Sequence, residues 1–308
     1  MARFGHLALA STITIWLLVI AGGIVRVTGS GMGCGPDWPL CNGQLVPLFT
    51  LETFIEFFHR VASAAGSLLV VITAIVAWRS FRHEPWIVRP AVLAVGVLLV
   101  QILLGAVTVK LHLKFEVVTL HLGVAAVLLA LLTLITSVAV AREQFPEVPL
   151  SNHRSARLTL VTVAATYLLL LIGSYMMGSG ASLGCTGFPE CSDGQWIPAD
   201  RVAGQVHMLH RAVAVVVGIL LAALFVRAWR SRGESPALLL TVSIAGLIYL
   251  AQFTAGVLNV LFYLPPVLRV VHLGLAFALW VGVVAVAAMA YAPVLVREPD
   301  RDARISPH

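Results

Sequence analysis

Charged residues are scarce in this sequence. Asp, Glu, Lys and Arg account for 11% of the 308 residues, whereas hydrophobic residues account for 59% and the mean hydropathy is +0.96. Soluble globular domains carry about 25% charged residues, so this composition excludes a soluble domain built around its own core. A chain of this kind buries its apolar surface in lipid and between helices.

The apolar residues are grouped in long runs. Each run holds about 20 residues with few charges, the length that an α-helix needs to cross a bilayer. They predict an all-α integral membrane protein with eight transmembrane helices, over residues 7–27, 53–78, 90–110, 117–141, 158–178, 203–226, 236–261 and 266–292. The first run is long, no small-residue cleavage site follows it, and seven more runs come after it. It therefore predicts a retained helix rather than a signal peptide.

The net charge of the chain is +6, and its basic residues are concentrated in the loops on one side of the eight spans. Most arginines fall on one side, among them Arg3, Arg79, Arg142, Arg230 and Arg297. The opposite loops hold only Lys110, Lys114 and Arg201 among several carboxylates. Cytoplasmic loops are enriched in Lys and Arg. We therefore expect a multi-pass protein of the cell membrane, with both termini in the cytoplasm and no nucleic-acid partner.

The chain contains an internal repeat. A shift of 151 residues superposes distinctive residues on one another: Cys34 on Cys185, His59 on His210, Trp78 on Trp229, Gln101 on Gln252, and His121 on His272. Each unit has four spans, an even number, which predicts parallel repeats in two four-helix bundles. The predicted units are residues 1–141 and 158–308, joined by a cytoplasmic linker at 142–157.

Four histidines form pairs inside predicted spans, near the outer ends of the even-numbered ones: His59, His121, His210 and His272. An ionisable side chain inside a span is costly and points to function. A hydrogen bond to a neighbouring helix explains a single such histidine. A pair repeated in register instead predicts two imidazoles that ligate a haem iron from both sides. Zinc or copper is the alternative, although two ligands are few for zinc.

Glycines and arginines accompany these histidines. Small residues that allow a backbone to approach a flat ring, or that simply lie at helix contacts, are Gly105, Gly123, Gly256 and Gly274. Basic residues near the outer level of the spans are Arg26, Arg60, Arg211 and Arg269. Arginine pairs bidentately with carboxylates, which predicts contacts with haem propionates. For Arg26 and Arg269, snorkelling to lipid phosphate is the alternative.

The two halves differ beside the histidines. Glu56 lies three residues before His59, on the same helix face, and its counterpart in the second half is His207. Because this carboxylate is present in only one half, it suggests that the haem of that half is acted upon. It could position or deprotonate water, or stabilise a developing cation. An ion pair with Arg26 or Arg60 is the alternative, and the two roles are compatible.

All four cysteines fall in outer loops, where thiols oxidise readily. They predict disulfides within each loop, Cys34–Cys41 and Cys185–Cys191. Six and five intervening residues exclude a thioredoxin-type CxxC motif. We expect structural bridges that hold a loop over each site, with redox chemistry near a haem as the alternative.

The sequence resembles the haem A synthase family from Gly22 to about Gly282. The stretch 23–31, Gly-Ile-Val-Arg-Val-Thr-Gly-Ser-Gly, and the stretch 34–41, Cys-Gly-Pro-Asp-Trp-Pro-Leu-Cys, are similar to that family's first helix end and first outer loop. Residues 56–60, Glu-Phe-Phe-His-Arg, resemble its glutamate–histidine motif. The family's remaining histidines are matched by His121, His210 and His272.

The resemblance implies an activity and a division of labour. Such enzymes convert the C8 methyl group of haem O to a formyl group, giving haem A for cytochrome oxidase. It implies that His59 and His121 hold the substrate haem with Glu56 as the catalytic carboxylate, and that His210 and His272 ligate a permanent haem B. The implied partners are haem O, an electron acceptor of unknown identity and haem O synthase.

Two other functions compete with this interpretation. A dihaem electron carrier needs haems at different depths, whereas the four histidines here lie at one level. A transporter also uses parallel repeats, but it leaves Glu56 and the paired histidines without a role. A colourless purified protein would favour the transporter.

Overall fold

A computed structural model describes residues 1–144, 153–192, 194–198, 201–233 and 236–296. In these ranges the regular structure is helical: α1 (Ala2–Val27), α2 (Leu51–Ser80), α3 (Pro85–Lys110), α4 (Phe115–Gln144), α5 (His153–Gly178), α6 (Val202–Arg230), α7 (Pro236–Leu261) and α8 (Pro266–Val296), with short 3-10 turns at Ser30–Met32 and Ala181–Leu183. All eight α-helices are long and apolar enough to cross a membrane. The predicted all-α membrane fold is therefore confirmed.

The helices extend beyond the predicted spans at most ends, by up to five residues at the starts of α1, α3 and α5. Helical backbone satisfies its own hydrogen bonds, so it continues past the apolar stretch into the polar region. Proline at the first position favours the start of α3, α7 and α8. The side chain of Thr50 caps the start of α2. The ends of the predicted linker 142–157 belong to α4 and α5, and its middle, 145–152, lies outside the described residues, as does Arg297.

The helices pack in two similar groups. In the first group α1 and α3 each contact α2 and α4, and in the second α5 and α7 each contact α6 and α8. The groups meet through α4 and α8, with α1 also contacting α8 and α5 contacting α4. Consequently α4 and α8 are the most buried helices. The division into two parallel repeats, with the predicted boundaries, stays a prediction.

Equivalent side chains cross between the groups. Trp16 of α1 donates its indole N–H to the carbonyl oxygen of Gly274 on α8 at 3.0 Å. Tyr167 of α5, 151 residues later, donates its hydroxyl to the carbonyl of Gly123 on α4 at 3.4 Å. A Cβ added to Gly123 or Gly274 would meet a side chain of the facing helix within 3.2 Å. These two glycines therefore serve helix contacts, which was the simpler of their two interpretations.

Both disulfides form as predicted, Cys34–Cys41 in the first disulfide loop (residues 28–50) and Cys185–Cys191 in the second (residues 179–198). Each loop presses a glycine against the start of the next helix. A Cβ on Gly33 would lie 2.5 Å from the backbone of α2, and one on Gly184 would lie 2.3 Å from that of α6. The loops are thereby fixed over the ends of the helices that carry His59 and His210.

Candidate functional site

The structure brings the four histidines together in the predicted pairs. His59 and His121 start from α2 and α4, His210 and His272 from α6 and α8, and each lies in the first part of its helix. His210 and His272 line one cavity, and His59 and His121 hold the equivalent positions in the first group. Two candidate sites result, one in each group of helices.

Each histidine ring packs against a glycine of the preceding helix. The distances from an added Cβ to the Cε1 atom of the ring are 3.5 Å for Gly22 and His59, 3.4 Å for Gly105 and His121, 3.1 Å for Gly173 and His210, and 3.0 Å for Gly256 and His272. A Cβ would crowd the rings of His210 and His272, whereas beside His59 and His121 it would make ordinary van der Waals contact. Gly105 and Gly256 were singled out from the sequence for approach to a haem ring or for helix contacts, and in the structure they contact histidine rings of the neighbouring helix.

Gly22 and Gly173 were not singled out from the sequence. They are related by the same shift of 151 residues, and each lies on the helix that precedes a paired histidine. The repeat therefore held a signal for them. What it could not indicate was which of several glycines on a helix faces the ring, because that depends on how the two helices are rotated against each other.

Several ring nitrogens of the four histidines lack hydrogen-bond partners among the described residues. The Nδ1 atoms of all four are buried without a hydrogen-bond partner among the described residues. The Nε2 atoms of His121 and His272 pair with the side-chain nitrogens of Gln101 and Gln252, at 3.1 and 3.2 Å. Buried polar atoms without partners are rare because they cost free energy, so these rings are suited to bind something else.

Metal-ligating side chains otherwise do not cluster. The described part of the chain has no group of three or more His, Cys, Asp or Glu side chains able to hold a metal ion. A structural or catalytic zinc site takes three or four protein ligands. The histidine pairs fall short of that number, whereas two axial imidazoles suffice for a haem iron.

A cavity of about 590 Å³ opens in the second group of helices. His210 and His272 line it, together with His207, Arg211 and Arg269, and most of its wall is apolar. Cofactor sites have this character, with volumes of roughly 300–1,000 Å³, apolar walls and a few polar groups. The cavity thus combines both histidines with basic side chains that can receive acidic substituents.

Glu56 is buried beside the first site, with 4% of its surface exposed. One carboxylate oxygen accepts a hydrogen bond from the backbone N–H of Cys34 at 2.8 Å. The other accepts hydrogen bonds from Nε and Nη2 of Arg60 at 3.2 and 2.5 Å. Arg60, and not Arg26, is thus the ion-pair partner of Glu56. Nearby, the Thr53 hydroxyl donates to the carbonyl of Gly33 at 2.9 Å, which ties the same loop to α2.

Arg60 and Arg211 hold the disulfide loops. Arg60 donates to the carbonyl oxygens of Asp37 and Leu40, at 3.1 and 2.7 Å. Arg211 donates in the same way to the second loop, at 2.7 to 3.1 Å from the carbonyls of Gly187, Pro189 and Glu190. Backbone partners of this kind cannot be recognised in a sequence. Propionate binding by either arginine stays a prediction.

Arg26 and Arg269 meet where the two groups of helices adjoin. A Cβ on Gly23 of α1 would lie 2.6 Å from Leu273 of α8, so the helices are in close contact there. Arg26 and Arg269 lie one turn beyond that contact on these two adjoining helices. Neither has a carboxylate partner among the described residues. Two adjacent cations without a counter-charge favour a bound anion.

His207 occupies in the second half the position of Glu56. Only 3% of its surface is exposed, and its Nδ1 has no partner among the described residues. It lines the cavity and also interacts with the backbone of Ala181 in the second disulfide loop. A loop-bound carboxylate is therefore replaced by an imidazole that lines the cavity beside the other loop.

Comparison with known proteins agrees with the paired sites. The family model of COX15-CtaA, the cytochrome oxidase assembly protein, matches residues 5–52 and 48–284. The chain is 34% identical over 262 residues to the heme A synthase of Shouchella clausii, covering 84% of this chain and 87% of that protein. It is also 34% identical to the heme A synthase of Geobacillus kaustophilus, over 82% of this chain and 80% of that protein. The chain therefore belongs to the COX15-CtaA family of cytochrome oxidase assembly proteins, the haem A synthases.

Proposed function

We propose that this protein is a haem A synthase that oxidises the C8 methyl group of haem O to a formyl group. The observation that carries the proposal is the pair of half-buried histidines in each half, whose buried Nδ1 atoms have no hydrogen-bond partner among the described residues. The conversion adds one oxygen atom and removes four electrons and four protons, so that methyl plus water gives formyl. The four electrons pass to an external electron acceptor.

The second half fits a haem B as its cofactor. Its cavity of about 590 Å³ contains both His210 and His272, and Gly173 and Gly256 leave room beside the rings. Two neutral imidazoles are suitable axial ligands. When bound, haem B would supply a one-electron redox couple. In this assignment His207 and Arg269, which line the same cavity, would bind acidic substituents of the cofactor.

The first half is the proposed substrate site, with His59 and His121 as the ligands of haem O. Glu56 is held there by hydrogen bonds from Cys34 and Arg60, so its carboxylate does not need to reorganise during the reaction. Oxidation of a methyl group gives its carbon positive character before water attacks. A fixed carboxylate in a site shielded from bulk water stabilises such charge and orients the water.

Arg26 and Arg269 are the proposed partners of propionate groups. They are adjacent, half-buried and without carboxylate partners in the described ranges. Bidentate pairing with a carboxylate would relieve the repulsion between the two guanidinium groups. Arg60 and Arg211 would act on the haems indirectly, because their hydrogen bonds hold the disulfide loops over the sites.

The proposed location is the cell membrane, with both termini in the cytoplasm and the haem sites near the outer face. Support comes from the arginine-rich loops on one side of the eight helices. The disulfides then face an oxidising compartment. Haem O synthase is the proposed supplier of the substrate.

An absorption spectrum of the purified protein, followed by acid extraction and mass analysis of its haems, tests the proposal. We expect a low-spin haem spectrum, and haem A among the extracted haems when the protein is expressed with a supply of haem O. A colourless protein would instead indicate a transporter. Bound haems that are never converted, in protein with intact disulfides, would indicate an electron carrier.

A further inference from the structure

The end of the first disulfide loop and the start of α2 form an apolar segment, residues 45–51 (Leu-Val-Pro-Leu-Phe-Thr-Leu). No residue from 38 to 51 is charged. Pro47 is buried, whereas its neighbours on both sides expose between 51% and 88% of their surfaces: Leu45, Val46, Leu48 and Phe49. A continuous exposed apolar surface of this kind marks a place where a membrane or another protein binds.

The apolar segment folds back along α2. The ring of Phe49 lies 5.8 Å from that of Phe54 and 5.5 Å from that of Phe57, between ring centroids, and Phe54 stacks on Phe58 at 6.2 Å. At a rise of 1.5 Å per residue, Phe54 and Phe57 lie about 4.5 and 9 Å further along the helix than Leu51. These four rings, which we call the phenylalanine cluster, therefore hold the segment beside the first two turns of α2.

The start of α2 has two different sides. Thr53 and Glu56 bind the first disulfide loop, whereas Leu51, Phe54 and Phe58 are exposed on another side. This exposed apolar side continues along the helix, at intervals that suit one helix face, through Val61, Leu68, Ile72 and Ile75. Because α2 is long and apolar enough to cross a membrane, that side faces lipid, and the phenylalanine cluster is continuous with it.

The length of α2 places the cluster at the membrane surface. Its 30 residues span about 45 Å, whereas a bilayer with its headgroups is about 40–45 Å thick. Trp78 and Arg79, at the other end, have the character of the opposite membrane surface. The start of α2 then lies among the headgroups, and the cluster lies where headgroups meet acyl chains. Apolar and aromatic side chains bind a membrane at that boundary.

The second half does not repeat this surface. The shift of 151 residues places Phe49, Phe54, Phe57 and Phe58 on residues that are not aromatic: Asp200, Gln205, Met208 and Leu209. Thr50 corresponds to Arg201, so two charged residues precede α6 where the first half has none. Charged side chains favour the aqueous side of the interface. The difference between the halves therefore concerns how deeply each loop approaches the lipid.

We propose that the apolar segment and the phenylalanine cluster are a membrane anchor, which inserts into the leaflet on the side of the disulfide loops and holds the first loop against the lipid. The second loop has no such anchor. A lipid surface suits a patch without charges, whereas protein interfaces have a polar rim and are enriched in Arg. Since the same loop donates the Cys34 N–H to Glu56, the anchor steadies the loop that holds this carboxylate. The proposal is independent of the ligand bound in either half.

A spin label at position 48 tests the insertion. All four native cysteines are in disulfides, so Leu48→Cys supplies a single free thiol, on a side chain whose exposure leaves the packing unchanged. The labelled protein is placed in vesicles of phosphatidylcholine and phosphatidylglycerol at a low ratio of protein to lipid. Electron paramagnetic resonance then compares collisions with oxygen, which concentrates in lipid, and with a water-soluble nickel chelate. We expect oxygen to dominate.

Two labelled positions calibrate the measurement. Lys114→Cys, in the other outer loop of the same half, should be reached by nickel, and Leu68→Cys, midway along the exposed side of α2, should be reached by oxygen. A label at position 48 that behaves like the one at Lys114 would place the segment in water and overturn the proposal. A label reached by neither reagent would also overturn it, because a second copy or another protein would then cover the patch. Leu45→Cys replaces Leu48→Cys if the latter folds poorly, with the same expectation.

A matched pair of labels tests the difference between the halves. Val46 and Ile197 are counterparts in the two disulfide loops, and both are exposed. We expect the ratio of oxygen to nickel collisions to be higher at Val46→Cys than at Ile197→Cys. Equal ratios, or a higher ratio at Ile197→Cys, would show that the anchor is not confined to the first half and would overturn that part of the inference. The haem content of the labelled proteins is measured separately, so failure of the proposed function would be seen independently.

Discussion

Replacing Glu56 by glutamine tests whether this residue serves the reaction or only supports the fold of the first half. The substitution keeps the size of the side chain and one acceptor for the Cys34 N–H, but it removes the negative charge that Arg60 faces. We expect the variant to bind haem O and to produce little haem A, stalling at the hydroxymethyl stage. The reason is that a fixed charge near the reacting carbon contributes most when the transition state forms.

The magnitudes of the two effects differ. Removing one partner of a buried ion pair costs about 3–5 kcal/mol. Arg60 keeps 16% of its side chain exposed and keeps its carbonyl partners in the loop, which reduces the expected loss of stability to about 2 kcal/mol. Loss of one preorganised electrostatic group typically lowers kcat by about 10²–10³. Turnover should therefore fall far more than haem O binding.

Haems extracted from cells that express the variant, separated by chromatography, give the ratio of haem A to haem O. Thr53→Ala is the matched control, because Thr53 ties the same loop to α2 through the carbonyl of Gly33 and carries no charge. We expect near-normal haem A from the control. Near-normal haem A from Glu56→Gln, or an equal loss in Thr53→Ala, would refute a chemical role and leave Glu56 as a support for the loop.

Three further predictions follow from the packing. His210→Ala and His272→Ala should each remove most of the low-spin haem B signal, since a six-coordinate iron loses one of two axial bonds; an unchanged spectrum in both would contradict the assignment. Gly256→Val should also reduce haem B content, because even a Cβ would lie 3.0 Å from the ring; full retention by absorbance would show that the ring can move. Trp16→Phe removes the donor to Gly274 and should lower the free energy of unfolding by about 0.6–1 kcal/mol, measured by thermal denaturation in detergent, with haem content unchanged.

The membrane class, the eight helices and the pairing of histidines were predictable from the sequence because each depends on a local or repeated signal. A span is a continuous apolar run, and a repeat is a constant offset between identical residues. The disulfides were equally accessible, since each joins cysteines of one loop. Helix ends were less predictable, because a helix continues beyond the apolar run wherever its backbone remains satisfied.

Partners that depend on helix rotation or on the backbone of a distant loop were not predictable. From the sequence, either Arg26 or Arg60 could pair with Glu56, and only the folded chain shows that Arg60 does. The sequence also offered Gly123 and Gly274 together with Gly105 and Gly256, although only the latter two contact a histidine ring.

The sequence by itself determined the chemistry available to this protein: which side chains lie in the membrane, at what level, and in which half. Only the tertiary structure decided which of them meet. It directed Gln101 and Gln252 to the histidines, and it placed Arg26 beside Arg269 across two halves of the chain. The physical reason is that hydrophobic runs are local, whereas contacts between helices depend on their rotation and depth, which packing of the whole bundle determines.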